Sequence, residues 1–209
     1  MGHLMESNDM LLDLTLAIDM NDPIIGKAST DQNSFMSNGH IGTHLDTYLQ
    51  TPIPSEFHHR RGVVVDATSY VESDSEIEVA VLRGRLIRPG DFVIFYTGAV
   101  EQAGYGTKAY FTDHPQLSWE LINLLVQKKV SFIGLDAAGV RRPGEHRVAD
   151  QMAEEHGTYI IENINNVGEL LRIAGNEDFT IFTGWTGFRG YSGLQCRVIA
   201  DLQELQATV

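Results

Sequence analysis

The feature that most constrains this chain is an alternation. Between residues 11 and 200, short β-branched or aromatic runs bounded by Gly, Pro or Asp take turns with segments of helical period, and no repeat, low-complexity tract or long polar linker interrupts them. Such a pattern folds as one α/β domain with a mostly β core and flanking helices. Residues 11–18 alternate Leu12, Leu14, Leu16 and Ile18 with Asp13, Thr15 and Ala17, the period of a half-buried strand. Further strands are expected at residues 63–65, 77–82, 92–96, 130–135, 159–161, 179–182 and 194–200. Leu117, Leu121, Leu124 and Leu125 share one helix face, with Ser118 near its start and Lys128 and Lys129 near its end, where cations suit the helix dipole. Helices are also expected over residues 145–156, closed by Gly157, and 167–174, stopped by Gly175. Residues 21–39 read as a long irregular loop. Residues 1–10 are set aside as a disordered or tag-derived N-terminus, with Met5 as the expected native start, and residues 11–209 form the single domain.

Burial alone must hold that domain together. At roughly 150 residues per domain, 209 residues can enclose a core without staples. The single cysteine, Cys196, excludes a disulfide framework or a cysteine-ligated zinc site and fits a reducing compartment. With 28 Asp and Glu against 15 Lys and Arg the net charge is −13, which argues against nucleic acid and anionic membranes as partners. No apolar stretch reaches the roughly 18 residues of a membrane span, and no basic segment precedes an apolar one at the N-terminus. A cytoplasmic location is expected.

The chemistry concentrates in His40-Ile41-Gly42-Thr43-His44-Leu45-Asp46. On a uniform helix the two imidazoles share a face but Asp46 points away from it. On a uniform strand all three share a face, yet the histidines stand about 13 Å apart, too far for one ion. The three groups converge only if the chain bends between the histidines, and Gly42 is the residue that permits a bend. Two imidazoles and a carboxylate then make an ordinary site for Zn²⁺ or Mn²⁺. On spacing alone, two polar loop histidines and a capping aspartate are an equally good reading.

The heptad resembles the His-x-Gly-Thr-His-x-Asp signature of the cyclase-like metal-dependent hydrolases, the group containing bacterial kynurenine formamidase and isatin hydrolase. Other segments are similar to that family as well: Asp13-Leu14-Thr15 in its opening strand, His114-Pro115-Gln116-Leu117-Ser118 at a helix start, Ile133-Gly134-Leu135-Asp136 at a strand end, Ile161-Glu162-Asn163 after the next strand, and Gly193 to Ala200 at the close. The resemblance implies the swivelling β/β/α fold, assembled as a homodimer or homotetramer. It implies metal ligation by His40, His44, Asp46 and Glu162, all present here.

Two positions depart from the family. Its proton-handling histidine, four residues after the motif aspartate, is Gln50, and its later histidine ligand falls on Asp150, with His146 one helical turn earlier. An amide can orient a substrate or water but cannot carry its proton, so Gln50 is expected to line a polar cavity while Asp150, Glu162 or His146 handles the proton. Exchanging two imidazoles for an amide and a carboxylate favours a harder ion, and one ion rather than two.

The remaining motifs are weaker. Gly104 to Lys108 lacks the spacing of a phosphate loop and reads as a flexible segment near the site, and Gly184 to Gly193 as an aromatic flap or connecting loop. Cys196 reads as a core thiol, residues 58–61 as a solvated surface run, and His114 as serving a helix start. Two functions follow. One is a metal-dependent hydrolase of a small-molecule amide, lactam or lactone, in which a metal-activated water attacks the carbonyl. The alternative is a non-catalytic descendant that binds a small molecule or metal, as the change at Gln50 suggests.

Overall fold

The computed structural model of the chain describes residues 11–72 and 76–203, so the N-terminal segment read as tag-derived lies outside the described residues. Eight strands are formed: β1 (Leu11–Asp13), β2 (His44–Asp46), β3 (His59–Asp66), β4 (Phe92–Tyr96), β5 (Phe132–Leu135), β6 (Tyr159–Glu162), β7 (Phe179–Trp185) and β8 (Gly193–Asp201). The helices are α1 (Pro23–Thr30), α2 (Thr68–Glu72), α3 (Ala99–Ala103), α4 (Lys108–Thr112), α5 (Trp119–Gln127), α6 (His146–Glu155) and α7 (Val167–Ala174).

The strands run in the order β8, β2, β6, β5, β4, β3, β7, and β7 pairs back onto β8, so seven of them close into a barrel and β1 adds to the free part of one β8 edge. Strands β3 to β6 pair in parallel and the rest antiparallel. Parallel strands covered on both faces are near-continuously apolar, which is why Val63-Val64-Val65 and Phe92 to Phe95 show no polar alternation. Val63, Val65, Val93, Phe95, Ile133 and Leu135 pack with Leu121, Leu125, Ala149 and Ala153 of the helices. The opposite side chains, Leu45, Val64, Ile94, Phe132, Ile161, Ile181 and Cys196 among them, come from all seven barrel strands and form one cluster, the barrel interior, closed by Val167 and Leu170 of α7. The mixed α/β architecture with a mostly β core and flanking helices is thus the one the sequence pattern implies. Cys196 is a buried core thiol there.

Helix ends follow their local chemistry. Ser118 Oγ accepts the Leu121 N–H at 3.2 Å, and Gly157 and Gly175 end their helices at positive φ. Three expectations are corrected. Residues 21–39 are not an irregular loop: Asp22 caps the backbone N–H groups of Ile24 and Ile25, Pro23 supplies the first turn of α1, and a 3₁₀ turn spans Phe35–Asn38. Residues 77–82 make one bridge, Ile77 to Leu117, followed by a 3₁₀ turn at Val79–Leu82, because no strand lies alongside to pair with the run. The strand expected over residues 11–18 ends at Asp13, after which Thr15 bridges Ile164 instead. Among the described residues no helix is long and apolar enough to cross a membrane.

Candidate metal centre

Strand β2 and the bend before it build the site. Leu45 points into the barrel, so His44 and Asp46 point out of it, as the strand period requires. Gly42 adopts φ +60°, the left-handed region that suits glycine, and a Cβ there would lie 2.8 Å from Ile18 Cγ1. The turn brings His40 back: its Nδ1 lies 2.8 Å from Asp46 Oδ1 and 3.1 Å from His44 Nε2. The anticipated convergence through a bend at Gly42 is therefore present.

The bend is pinned on all sides. The Gly42 N–H donates to the Tyr105 hydroxyl at 2.9 Å, and its carbonyl accepts from Asn163 Nδ2 at 2.9 Å and His44 Nδ1 at 2.8 Å. Tyr110 holds Asn163 in turn, donating to its Oδ1 at 2.7 Å. Because a carbonyl can only accept, His44 carries its hydrogen on Nδ1 and turns the Nε2 lone pair toward Asp46 and Glu162. His40 Nε2 pairs with Ser192 Oγ at 2.8 Å, which leaves Nδ1 for Asp46.

Glu162 arrives by register, directly opposite His44 in the antiparallel β2–β6 pair, with its Oε2 3.5 Å from His44 Nε2. Helix α6 supplies the other wall. His146 and Asp150 lie one turn apart on the same face, and His146 Nε2 is 3.1 Å from Asp150 Oδ2, 3.2 Å from Glu162 Oε1 and 3.6 Å from Asp46 Oδ2. His146 and Asp150 thus both reach the cluster. Its donor atoms fall into two groups, His40–His44–Asp46 and Asp46–His146–Asp150–Glu162, within 4.8 Å in each group and joined through Asp46.

Charge shows what the cluster requires. Both oxygens of Asp46 and of Asp150 and Oε1 of Glu162 are buried, and among the described residues their polar neighbours are the imidazole nitrogens of His40, His44 and His146 and no backbone N–H or hydroxyl. Buried carboxylates without such donors demand a cation. In the bare protein protons partly meet that demand: burial opposes charge on His44 and His146, but the carboxylates, Asp46 first for His44 and Glu162 first for His146, raise them to about 9 and about 12. Burial pushes Asp150 up to about 6 and Glu162 well above its ordinary range, Asp46 reinforcing both. Asp46, despite burial, is held well below the usual range by His40 and His44. The residues fit a divalent cation.

Gln50 lies elsewhere. Its Oε1 accepts the Gly190 N–H at 3.3 Å and its Nε2 donates to the Tyr191 carbonyl at 3.4 Å, so it ties down the 187–191 segment and does not line the metal-side cavity. It lines instead a neighbouring cavity of about 240 Å³ with Trp185, Phe188 and Tyr191. The backbone accounts for this: at φ +55° Gln50 turns the chain, and Glu154 takes the segment before it. That buried carboxylate accepts the hydroxyls of Thr47 and Thr51 and the N–H groups of Leu49 and Thr51 at 2.8–2.9 Å. Ser192, Glu154 and Tyr105 support the site from positions to which the sequence gives no individual role, whereas Asn163 belongs to the family-like Ile161-Glu162-Asn163 segment. The run at 58–61 is partly engaged rather than solvated, since Arg61 bonds Asp91 and His58 stacks on Trp185 at 3.9 Å. His114 is buried and donates from Nδ1 to the Pro115 carbonyl, with Ser118 doing the capping; burial lowers it to about 4.

A seven-stranded barrel in which one strand and the bend before it set two histidines and an aspartate beside a glutamate of the neighbouring strand is the frame of the site. The profile of the family described as "Putative cyclase" matches residues 12–142, and the chain belongs to that family. The match includes His40, His44 and Asp46 and stops before His146, Asp150 and Glu162. Among solved structures, isatin hydrolase A from Labrenzia aggregata bound to benzyl benzoate is similar at 18% identity, covering 92% of this chain and 93% of that one with a TM-score of 0.70. A potential metal-dependent hydrolase with cyclase activity is 18% identical, covering 91% of this chain and 96% of that one at 0.65. Isatin hydrolase A from Ralstonia solanacearum is 22% identical, covering 77% and 71% at 0.63. At these identities the likeness establishes the fold. No curated protein matches the sequence.

Proposed function

We propose that this protein is a metal-dependent hydrolase of a small-molecule amide, lactam or lactone. One divalent ion, Zn²⁺ or Mn²⁺, is held by His40, His44, Asp46 and Glu162. The observation that carries this reading is the buried cluster of carboxylate oxygens on Asp46, Asp150 and Glu162 and imidazole nitrogens of His40, His44 and His146, close enough together to share an ion in place of the protons they hold without one. The hydrolase names of the structural neighbours support the reaction class. A bound ion supplies Lewis acidity toward a carbonyl and makes water a nucleophile near neutral pH.

The residues do the rest. A cavity of about 600 Å³ opens onto His40, His44, His146 and Glu162, with Phe35, Tyr48 and Phe111 as an aromatic wall. Asp150, raised to about 6 and 3.1 Å from His146, would take up the proton of the attacking water and return it to the leaving nitrogen or oxygen by way of His146, the member of the pair that lines the cavity. A homo-oligomer and a cytoplasmic location remain part of the proposal.

Elemental analysis after purification without added metal, followed by a screen of formamides, lactams and lactones with Mn²⁺ or Zn²⁺, tests the proposal. One ion per chain and turnover abolished by EDTA are expected. Two ions per chain would overturn the acid–base role of Asp150, and bound metal without turnover across the panel would favour the non-catalytic reading.

A further inference from the structure

The residue after His146 on α6 is an exposed arginine, Arg147, and it faces the same cavity as the metal-side histidines. Its guanidinium carbon lies 5.2 Å from the centre of the Tyr48 ring, and that ring stacks on His40 at 5.4 Å and 29°. Two ring contacts in series therefore connect the guanidinium to a proposed ligand. Arg61, Arg141, Arg172 and Arg197 each hold an aspartate or glutamate; among the described residues Arg147, like Arg60, Arg83, Arg85 and Arg189, pairs with no carboxylate, and of these five it is Arg147 that lines the metal-side cavity. In a chain of net charge −13, acidic partners are abundant, so an arginine left with only an aromatic face at a cavity mouth is placed for an anion from outside. The walls select what carries that anion. Phe35 and Phe111 meet edge to face at 5.6 Å on the cavity lining that also includes Tyr48. Tyr48 adds a third ring to that wall and presents it to the guanidinium.

We propose that Arg147 recognises a carboxylate borne by the substrate, so that the substrate class is an aromatic amide or lactone with an anionic group on its ring. The ring packs along Phe111 and Tyr48, the scissile carbonyl faces His40, His44 and Glu162, and the ring carboxylate meets the Arg147 fork. The inference rests on the hydrolase reading of the same site and adds the charge of the substrate to it.

The test compares formanilide with 2-, 3- and 4-formamidobenzoate on the metal-loaded wild type, Arg147→Gln, Arg147→Lys and Arg147→Glu, with kcat/KM and calorimetric Kd measured for each. In the wild type at least one formamidobenzoate is expected to have a kcat/KM about tenfold higher and a Kd about tenfold lower than formanilide, as for one partly exposed charge-assisted contact. The ratio should fall to near one in Arg147→Gln, survive in part in Arg147→Lys and invert in Arg147→Glu, at unchanged metal content. No preference for any carboxylate isomer, or a preference that persists in Arg147→Gln, would overturn the inference. Because calorimetry needs no turnover, an Arg147-dependent preference in Kd without hydrolysis would sustain the anion site and sink the hydrolase reading instead.

Discussion

Removing the Glu154 carboxylate tests how the site is held. The side chain sits on the same α6 face as His146 and Asp150 and fastens the segment that follows Asp46: Oε1 accepts from Thr47 Oγ1, Thr51 N and Thr51 Oγ1, and Oε2 from Leu49 N. In Glu154→Ala the Thr51 hydroxyl retains Tyr159, 2.9 Å away, but Thr47 Oγ1 and two backbone N–H groups lose their acceptor. A hydrogen bond to a charged acceptor contributes about 1.5–3 kcal/mol, and water replaces part of that at the two half-exposed amides, so the loss of the three contacts should come to about 3–5 kcal/mol. Glu154→Gln keeps one acceptor and sets an amide nitrogen against the Leu49 N–H, for a loss of about 1–3 kcal/mol. Urea unfolding in EDTA gives these numbers, and competition with a chromophoric chelator gives the metal affinity, which should weaken about 10- to 100-fold because Asp46 loses its anchor. An alanine variant that lost less than about 1 kcal/mol, or that lost stability with metal affinity intact, would refute the reasoning.

Four shorter predictions accompany it. Ser192→Ala removes the partner of His40 Nε2 and should weaken metal binding about 10- to 100-fold with unfolding shifted by no more than about 1 kcal/mol; unchanged affinity would mean that Ser192 does not orient the ring. Gly42→Val forces a β-branched residue to φ +60° with its Cβ against Ile18, so it should lose about 2 kcal/mol or more and its stoichiometric metal, read by denaturation and elemental analysis. In the metal-free protein protonated His44, raised from 6.5 to about 9, contributes stability that is full below pH 6.5 and is lost as pH rises through 9, while metal affinity climbs over the same interval; a flat affinity profile there would contradict the ligand assignment. Gln50→His places an imidazole beside Gly190 and Tyr191, outside the cavity, so no gain in rate is expected, and a gain near 10²-fold would show that position 50 can reach the reacting atoms.

By itself the sequence determined the parts that depend on near neighbours. The 3.6-residue period of Leu117, Leu121, Leu124 and Leu125, the Ser118 cap and the stops at Gly157 and Gly175 are set within one helical turn. The heptad from His40 to Asp46 likewise contained its own geometric demand, a bend at Gly42, because neither uniform backbone could bring its three groups together. Tertiary structure decided everything that depends on who stands across. Opposite His44 stands Glu162, because β2 and β6 pair antiparallel in that register, and His40 meets Ser192 because β8 lies on the other side of β2. That both His146 and Asp150 reach the cluster follows from where α6 packs over the barrel, while one helical period could only say that they share a face. Gln50 and Glu154 show the limit most plainly. A polar residue four positions from a proposed ligand turns away to hold Gly190 and Tyr191, and one glutamate in an acid-rich chain becomes the buried anchor of the site, since hydrogen-bond partners across more than a hundred residues leave no period in the sequence.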